Sequence, residues 1–218
     1  MKISVLTASV RPEGLDIVYQ CLKKQDFDPD EFEWIIVGNK AVCDWVIETF
    51  GEDPKFKASS EMFVFDNNRG IKCFLERPKR EGDFYNIDKA YNDLFKNALG
   101  ALGIMWTDLT WASSTVLTDF WAHYLNNPRA CVGAIGHQYE IVEMGKPQVE
   151  VWHDPRARTD FGSYYEIFPI DFEMCLASIP VQAMRDVGGF EEDYDKGAAV
   201  GEKEVALRMD KAGYKVYL

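Results

Sequence analysis

Residues 103–113 read GIMWTDLTWAS, and the single acid among them, Asp108, stands where an apolar run (Ile104, Met105, Trp106) gives way to a polar turn. A carboxylate there can hold a divalent cation, a hard ion that takes oxygen ligands and neutralises a diphosphate. It can equally cap a turn or helix, the commoner task for an Asp in that setting. Two positions on, where a second acid would complete a cation site, the chain has Thr110. A second candidate is Glu202, which opens a helix with Glu204 and is followed by Arg208 and Lys211. Acids in a first helical turn complement the helix dipole, but a carboxylate facing a cleft can also take a proton from a hydroxyl. A third is Arg11, after the small residues Thr7, Ala8 and Ser9, which can pair with a phosphate or a base carbonyl.

Other chemistries have no support. His123, His137 and His153 lack the spacing of a zinc-binding helix, and no Ser or Cys sits in a nucleophile elbow. Neither G-x-G-x-x-G nor G-x-x-x-x-G-K-[ST] occurs, so no dinucleotide fingerprint or P-loop is present. Arg156 and Arg158 read as a loop pairing its own Asp154 and Asp160. The five cysteines form no C-x-x-C pair, which predicts reduced and mostly buried thiols in a cytoplasmic protein. No apolar window is long enough for a membrane span. A formal net charge of −12 makes nucleic acid an unfavourable partner.

The elements that must position these residues alternate. The runs at 2–8, 31–39 and 61–68 predict three strands, separated by helical patterns with Leu15, Val18, Tyr19 and Leu22 on one stripe and by residues 41–50. That order predicts right-handed crossovers and a parallel sheet with helices on its faces. Residues 67–85, charged and containing Pro78 and Gly82, predict a connecting loop. A helix through Ala90, Leu94 and Phe95, a strand at 101–107, a helix near 114–126 and a strand at 130–136 follow. Residues 137–169 read as irregular strand, and 171–179 as another strand. A short helix then starts at Pro180, and a helix and a strand close the chain. Ligands of an open parallel sheet bind at the carboxyl ends of its strands, which here carry Thr7, Ala8, Arg11, Asn39, Asp66 and Asp108.

These pieces resemble the inverting glycosyltransferases of the family-2 type with the GT-A fold. KISVLTASVRPEGLDIVYQCLKKQ looks like that family's first strand and helix, and NDLFKNALGALGIMWTD like the helix and strand leading to its D-x-D motif. The most specific part is MRDVGGFEEDYDKGAAVGEKEVALRMDKAGYKV, similar to its C-terminal G-G-F … R-x-x-x-x-G-Y segment. The resemblance implies an α/β, three-layer αβα sandwich with a Rossmann-like, mostly parallel central sheet and a small antiparallel portion. It implies one unit over 1–218, with 1–110 taking a nucleotide-sugar, UDP-linked by expectation, and 111–218 an acceptor it does not identify. A divalent cation, Mn or Mg, would assist the transfer.

Carried onto this chain, the resemblance puts Thr7, Ala8 and Arg11 at the nucleotide base and ribose. Asn39 falls where an Asp is usual, and Asp66 at the uridine pocket. Asp108 matches the first acid of D-x-D and the metal ligand, with Thr110 in the second position. Glu202 falls at the catalytic base and Gly201 replaces the acid before it; a register anchored on Gly201-Glu202 would instead put Lys203 there. The family commonly continues beyond the position of Leu218. The alternative is a GT-A-like module that binds a nucleotide, sugar or partner without turnover. Thr110 and Gly201 speak for that alternative, and Asp108, Glu202 and Arg208 against it.

Overall fold

Residues 1–50, 57–59, 62–66, 70–140, 149–156, 164–197 and 200–218 are described by a computed structural model. The first half runs β1 (Ile3–Ser9), α1 (Pro12–Leu22), β2 (Phe32–Gly38), α2 (Lys40–Phe50), β3 (Lys57–Ser59), β4 (Met62–Asp66), β5 (Ile71–Leu75), α3 (Ile87–Asn97) and β6 (Leu102–Trp106). The second runs α4 (Val116–Asn126), β7 (Ala130–Gly133), β8 (His137–Glu140), β9 (Val149–His153), β10 (Leu176–Pro180), α5 (Val181–Val187), α6 (Gly201–Lys211) and β11 (Lys215–Tyr217).

Continuous apolar runs make strands buried on both faces, which a sheet between two helical layers requires. β6 is buried at every position, and β1 and β2 at all but one. On one face Leu15, Val18, Val42, Val46, Leu117 and Phe120 of α1, α2 and α4 pack on Ile3, Val5, Trp34, Ile36 and Ile104. On the other, Leu94, Phe95, Met184, Val205 and Met209 of α3, α5 and α6 pack on Leu6, Ile35, Val37, Met105 and Ile179. This is the three-layer αβα arrangement expected from the sequence. The sheet order is β11-β7-β10-β6-β1-β2-β5-β4-β3, with β8 and β9 paired as a separate hairpin. Only β4 and β10 run against the other strands of the large sheet.

Two expectations change. The third run is not the next parallel strand: β4 pairs antiparallel with β5, and β5, inside the span expected to be a loop, is the strand that lies parallel to β2. Charge in IKCFL hid it, because Lys72 is the partly buried partner of a buried acid. Glu33 is 1% exposed and accepts from Lys72 Nζ (2.6 Å), Ser4 Oγ (2.6 Å) and Leu99 N (2.7 Å), tying β1, β2 and β5 to the turn after α3. The second change is that β10 starts only at Leu176 and inserts antiparallel between β6 and β7. Its start therefore lies beside the end of β6, where Asp108 follows.

Candidate active site

Asp108 lies just past β6, in a turn closed by Leu109 in the left-handed region (φ 64°), whose N–H donates to Gly14 O (3.3 Å). The turn aims the carboxylate inward at the start of α1. Arg11 grips it with two donors, Nη2 to Oδ1 (2.6 Å) and Nε to Oδ2 (3.0 Å), while Ser9 Oγ donates to Oδ2 (2.7 Å). The Asp108 side chain is 8% exposed and that of Arg11 58%. The pairing hydrogen bond and charge of Asp108 raise the Arg11 pKa further, so the guanidinium stays charged. Gly14 makes this approach possible: a Cβ there would stand 2.7 Å from Asp108 Cβ. Pro12 at the first helical position sets the direction of α1 at this point.

The second acid stands across the same rim. Glu202, half-buried in the first turn of α6, accepts from Met174 N through Oε2 (3.1 Å). Burial raises its pKa above the usual carboxylate range, although the Met174 N–H opposes the shift. The two acids are linked through the chain before β10: Thr107, next to Asp108, donates from N (2.9 Å) and Oγ1 (3.1 Å) to Cys175 O, one residue after Met174. Tyr91 of α3 is near enough to both acids to feel their charge. Burial first, and then the charges of Glu202, Cys175, Asp88 and Asp108, push its phenol pKa up.

Asp88 is a functional candidate that the sequence did not single out. It is 3% exposed, and no hydrogen bond to its carboxyl group exists among the described residues. Burial first, then the charges of Asp195 and Glu202, raise its pKa to about 7. Its carboxyl fills the space beside Gly201, where a Cβ would stand 2.6 Å from Asp88 Cγ. The wholly buried Asp195 caps α3, accepting from Asp88 N (3.1 Å) and Lys89 N (3.3 Å). In sequence Asp88 is an acid in a first helical turn, and nothing there distinguishes it from a dipole complement.

The remaining expected residues divide. Thr7 is wholly buried and its hydroxyl accepts from Trp34 Nε1 (3.0 Å), so it serves the core. Ala8 packs against the opposite face. Asn39 caps α2 through Oδ1, which accepts from Val42 N (3.0 Å), and its Nδ2 donates to Val10 O (3.1 Å), holding the β1 and β2 exits together. Asp66 is not brought to the rim. Because β4 is antiparallel, it pairs with Lys72, level with Ile35 and Leu6 in the middle of the sheet. Arg156 pairs with Asp154 as expected (2.6 Å), while Arg158 and Asp160 lie outside the described residues.

A divalent cation finds a poor donor set at Asp108. Both carboxylate oxygens already accept from Arg11 or Ser9, and position 110 offers only a neutral hydroxyl, bonded to Thr107 Oγ1 (2.8 Å). No group of three or more His, Cys, Asp or Glu side chains able to hold a metal occurs among the described residues. The arrangement does not fit the expected ion.

No family model and no curated protein matches the sequence. Solved structures do. Staphylococcus aureus TarS, residues 1–349 in complex with UDP, matches with a TM-score of 0.64 at 14% identity, over 100% of this chain and 57% of that one. A Pyrobaculum calidifontis mannosyltransferase in complex with GDP-Man and Mn²⁺ matches with 0.63 at 13%, over 99% and 53%. GalNAc-T7 with UDP, GalNAc and Mn²⁺ matches with 0.62 at 11%, over 100% and 42%. The fold is shared with GT-A glycosyltransferases. At these identities the likeness is one of GT-A architecture, and the chain spans about half the length of the structures it matches. No helix among the described residues is long and apolar enough to cross a membrane.

Proposed function

We propose that this chain transfers a sugar from a nucleotide-sugar, UDP-linked in the first instance, to an acceptor hydroxyl with inversion, in the cytoplasm. Residues 1–110 would take the donor and 111–218 the acceptor. The observation that carries the reading is Glu202: a half-buried carboxylate, held by Met174 N and shifted up by burial, on the rim that also holds Arg11 and Asp108. Such a group is a suitable general base. Similarity to glycosyltransferases solved with UDP, UDP-GlcNAc and GDP-Man supports the donor class.

In this reading the acceptor O–H gives its proton to Glu202 as its oxygen bonds to the anomeric carbon. The bond from that carbon to the diphosphate oxygen breaks on the opposite side, and the nucleoside diphosphate leaves with the electron pair. Arg11 lies where its charge can oppose the charge developing on the leaving group. Asp108 holds the guanidinium in place, and Asn39 fixes the backbone of the neighbouring strand exits.

The test is nucleotide release from a panel of UDP- and GDP-sugars with simple acceptors, with product configuration read by NMR. Glu202→Gln should lower kcat by about a hundredfold or more while leaving nucleotide binding unchanged. An unchanged rate in that variant would remove Glu202 as the base. The second reading, a GT-A-like protein that binds without turnover, draws on the Asp108 oxygens being already engaged and on Thr110. Nucleotide binding with no transfer to any acceptor, and no slow hydrolysis, would favour it.

A further inference from the structure

We infer that the diphosphate of the donor is held without a divalent cation, by the fork of Arg11 that Asp108 orients at the start of α1. This rests on the reading above that the rim takes a nucleotide-sugar. The observation behind it is where the Asp108 charge is spent. Three donors converge on its two oxygens: Arg11 Nη2 at 2.6 Å, Arg11 Nε at 3.0 Å and Ser9 Oγ at 2.7 Å. One side of the carboxylate is closed by α1, which comes so near that only a glycine fits at position 14. A metal could reach Asp108 only by expelling a cation that already neutralises it. Position 110, which would have to help, offers a neutral hydroxyl bonded to Thr107, and such a hydroxyl is a weaker ligand for a hard cation than a carboxylate.

Arg11 itself is only half committed. Nε and one hydrogen of Nη2 face Asp108, while Nη1 has no hydrogen-bond partner among the described residues and the side chain is 58% exposed at the strand ends. A guanidinium carries five N–H donors in a planar fork that matches phosphate as well as carboxylate. One edge can therefore be fixed by Asp108 while the other takes phosphate oxygens. The adjoining N-terminus of the eleven-residue α1 adds oriented backbone dipoles of the same sign. Asp108 is then a positioning residue: it sets the angle of the guanidinium and does not itself touch the ligand. The pair carries no net charge, so selectivity for diphosphate over monophosphate comes from the geometry of the fork.

The experiment is calorimetric titration of the full chain with UDP, GDP and UMP, in EDTA and in Mn²⁺, using wild type, Arg11→Ala and Arg11→Lys. The expected result is a diphosphate Kd that differs by less than about threefold between EDTA and Mn²⁺, where a metal-bridged site would differ by at least about tenfold. Arg11→Ala should weaken the diphosphate at least about fivefold more than UMP, and Arg11→Lys, which keeps the charge but not the fork, should fall between. A diphosphate Kd that tightens by about threefold or more on adding Mn²⁺ overturns the inference. So does an Arg11→Ala penalty equal for UDP and UMP. Should Arg11→Ala not fold, the EDTA–Mn²⁺ comparison on wild type decides alone. Absence of binding by every nucleotide in both conditions instead removes the nucleotide-sugar reading itself, an outcome distinct from metal-dependent binding.

Discussion

At the scale of single residues, Asp88 and Glu202 make opposite uses of burial. Glu202 keeps a hydrogen bond from Met174 N to its ionised form, and its pKa rises only against that bond. Asp88 has no such donor among the described residues and moves to about 7. For a base, the deprotonated form is active, so the transfer rate should climb through the raised pKa of Glu202. The acid limb of a kcat profile should accordingly lie above the range of an exposed glutamate; a limb at the ordinary glutamate value would count against it as the base. The sign for Asp88 is worked from linkage. Its folded pKa exceeds the unfolded one, so the folded state binds the extra proton and stability falls as pH rises from about 4 to about 7. Asp88→Asn should therefore change little at about pH 4 and stabilise increasingly up to about pH 7, with no further gain above it. Thermal melts of both proteins across that range test this, and a gain independent of pH would mean the carboxyl is not the cause. Asp88 also bears on Gly201, since each occupies space the other would need. Gly201→Ala alone should destabilise, and Asp88→Ala should recover most of that loss in the double variant, measured as a coupling between the two changes.

At the scale of elements, Glu33 shows why part of the fold was legible in the sequence and part was not. The apolar runs of β1, β2 and β6 announce themselves because both faces are covered. Likewise Leu15 and Val18 mark α1, and Leu94 and Phe95 mark α3. β5 was hidden because a strand with a lysine in its middle reads as loop unless its partner is known, and Glu33 lies 39 residues away in the sequence. The same limit acts on the site. Asp108, Arg11 and Glu202 were visible as charged residues, but the bonds of Ser9 to Asp108 and of Met174 to Glu202, and the packing of Asp88 against Gly201, are tertiary contacts. Asp66 was placed at the rim by assuming a parallel strand, and the reversal of β4 removes it from there. The buried ion pair gives a prediction for these elements. Glu33→Ala leaves Lys72, 17% exposed, without its anion, and leaves Ser4 and Leu99 N without an acceptor. Breaking one side of such a pair costs about 3 kcal/mol or more. Urea unfolding should show that loss, and a cost under about 1 kcal/mol would mean water replaces the carboxylate.

At the scale of the whole molecule, a net charge of −12 sets a background against which both acids of the site must work. Excess like charge destabilises a compact state through self-repulsion, and added salt screens that repulsion over a Debye length of about 10 Å near 0.1 M. Burial acts differently: the Asp88 shift comes first from loss of water and only then from neighbouring charges, and salt does not restore lost hydration. The two contributions should therefore separate. At about pH 8, raising NaCl from about 0.01 to about 0.3 M should increase the melting temperature of wild type and of Asp88→Asn by similar amounts, leaving the gap between them open. A gap that closes with salt would mean that Asp195 and Glu202, rather than burial, hold the Asp88 pKa up. A melting temperature that falls with salt would mean that local pairs such as Arg11–Asp108 and Lys72–Glu33 outweigh the global repulsion. The same background bears on the acceptor: with the Arg11 guanidinium engaged by a diphosphate, a polyanionic acceptor would meet the excess negative charge of the chain. Neutral or cationic acceptors should accordingly show the lower KM at low salt, with the difference shrinking as salt is added.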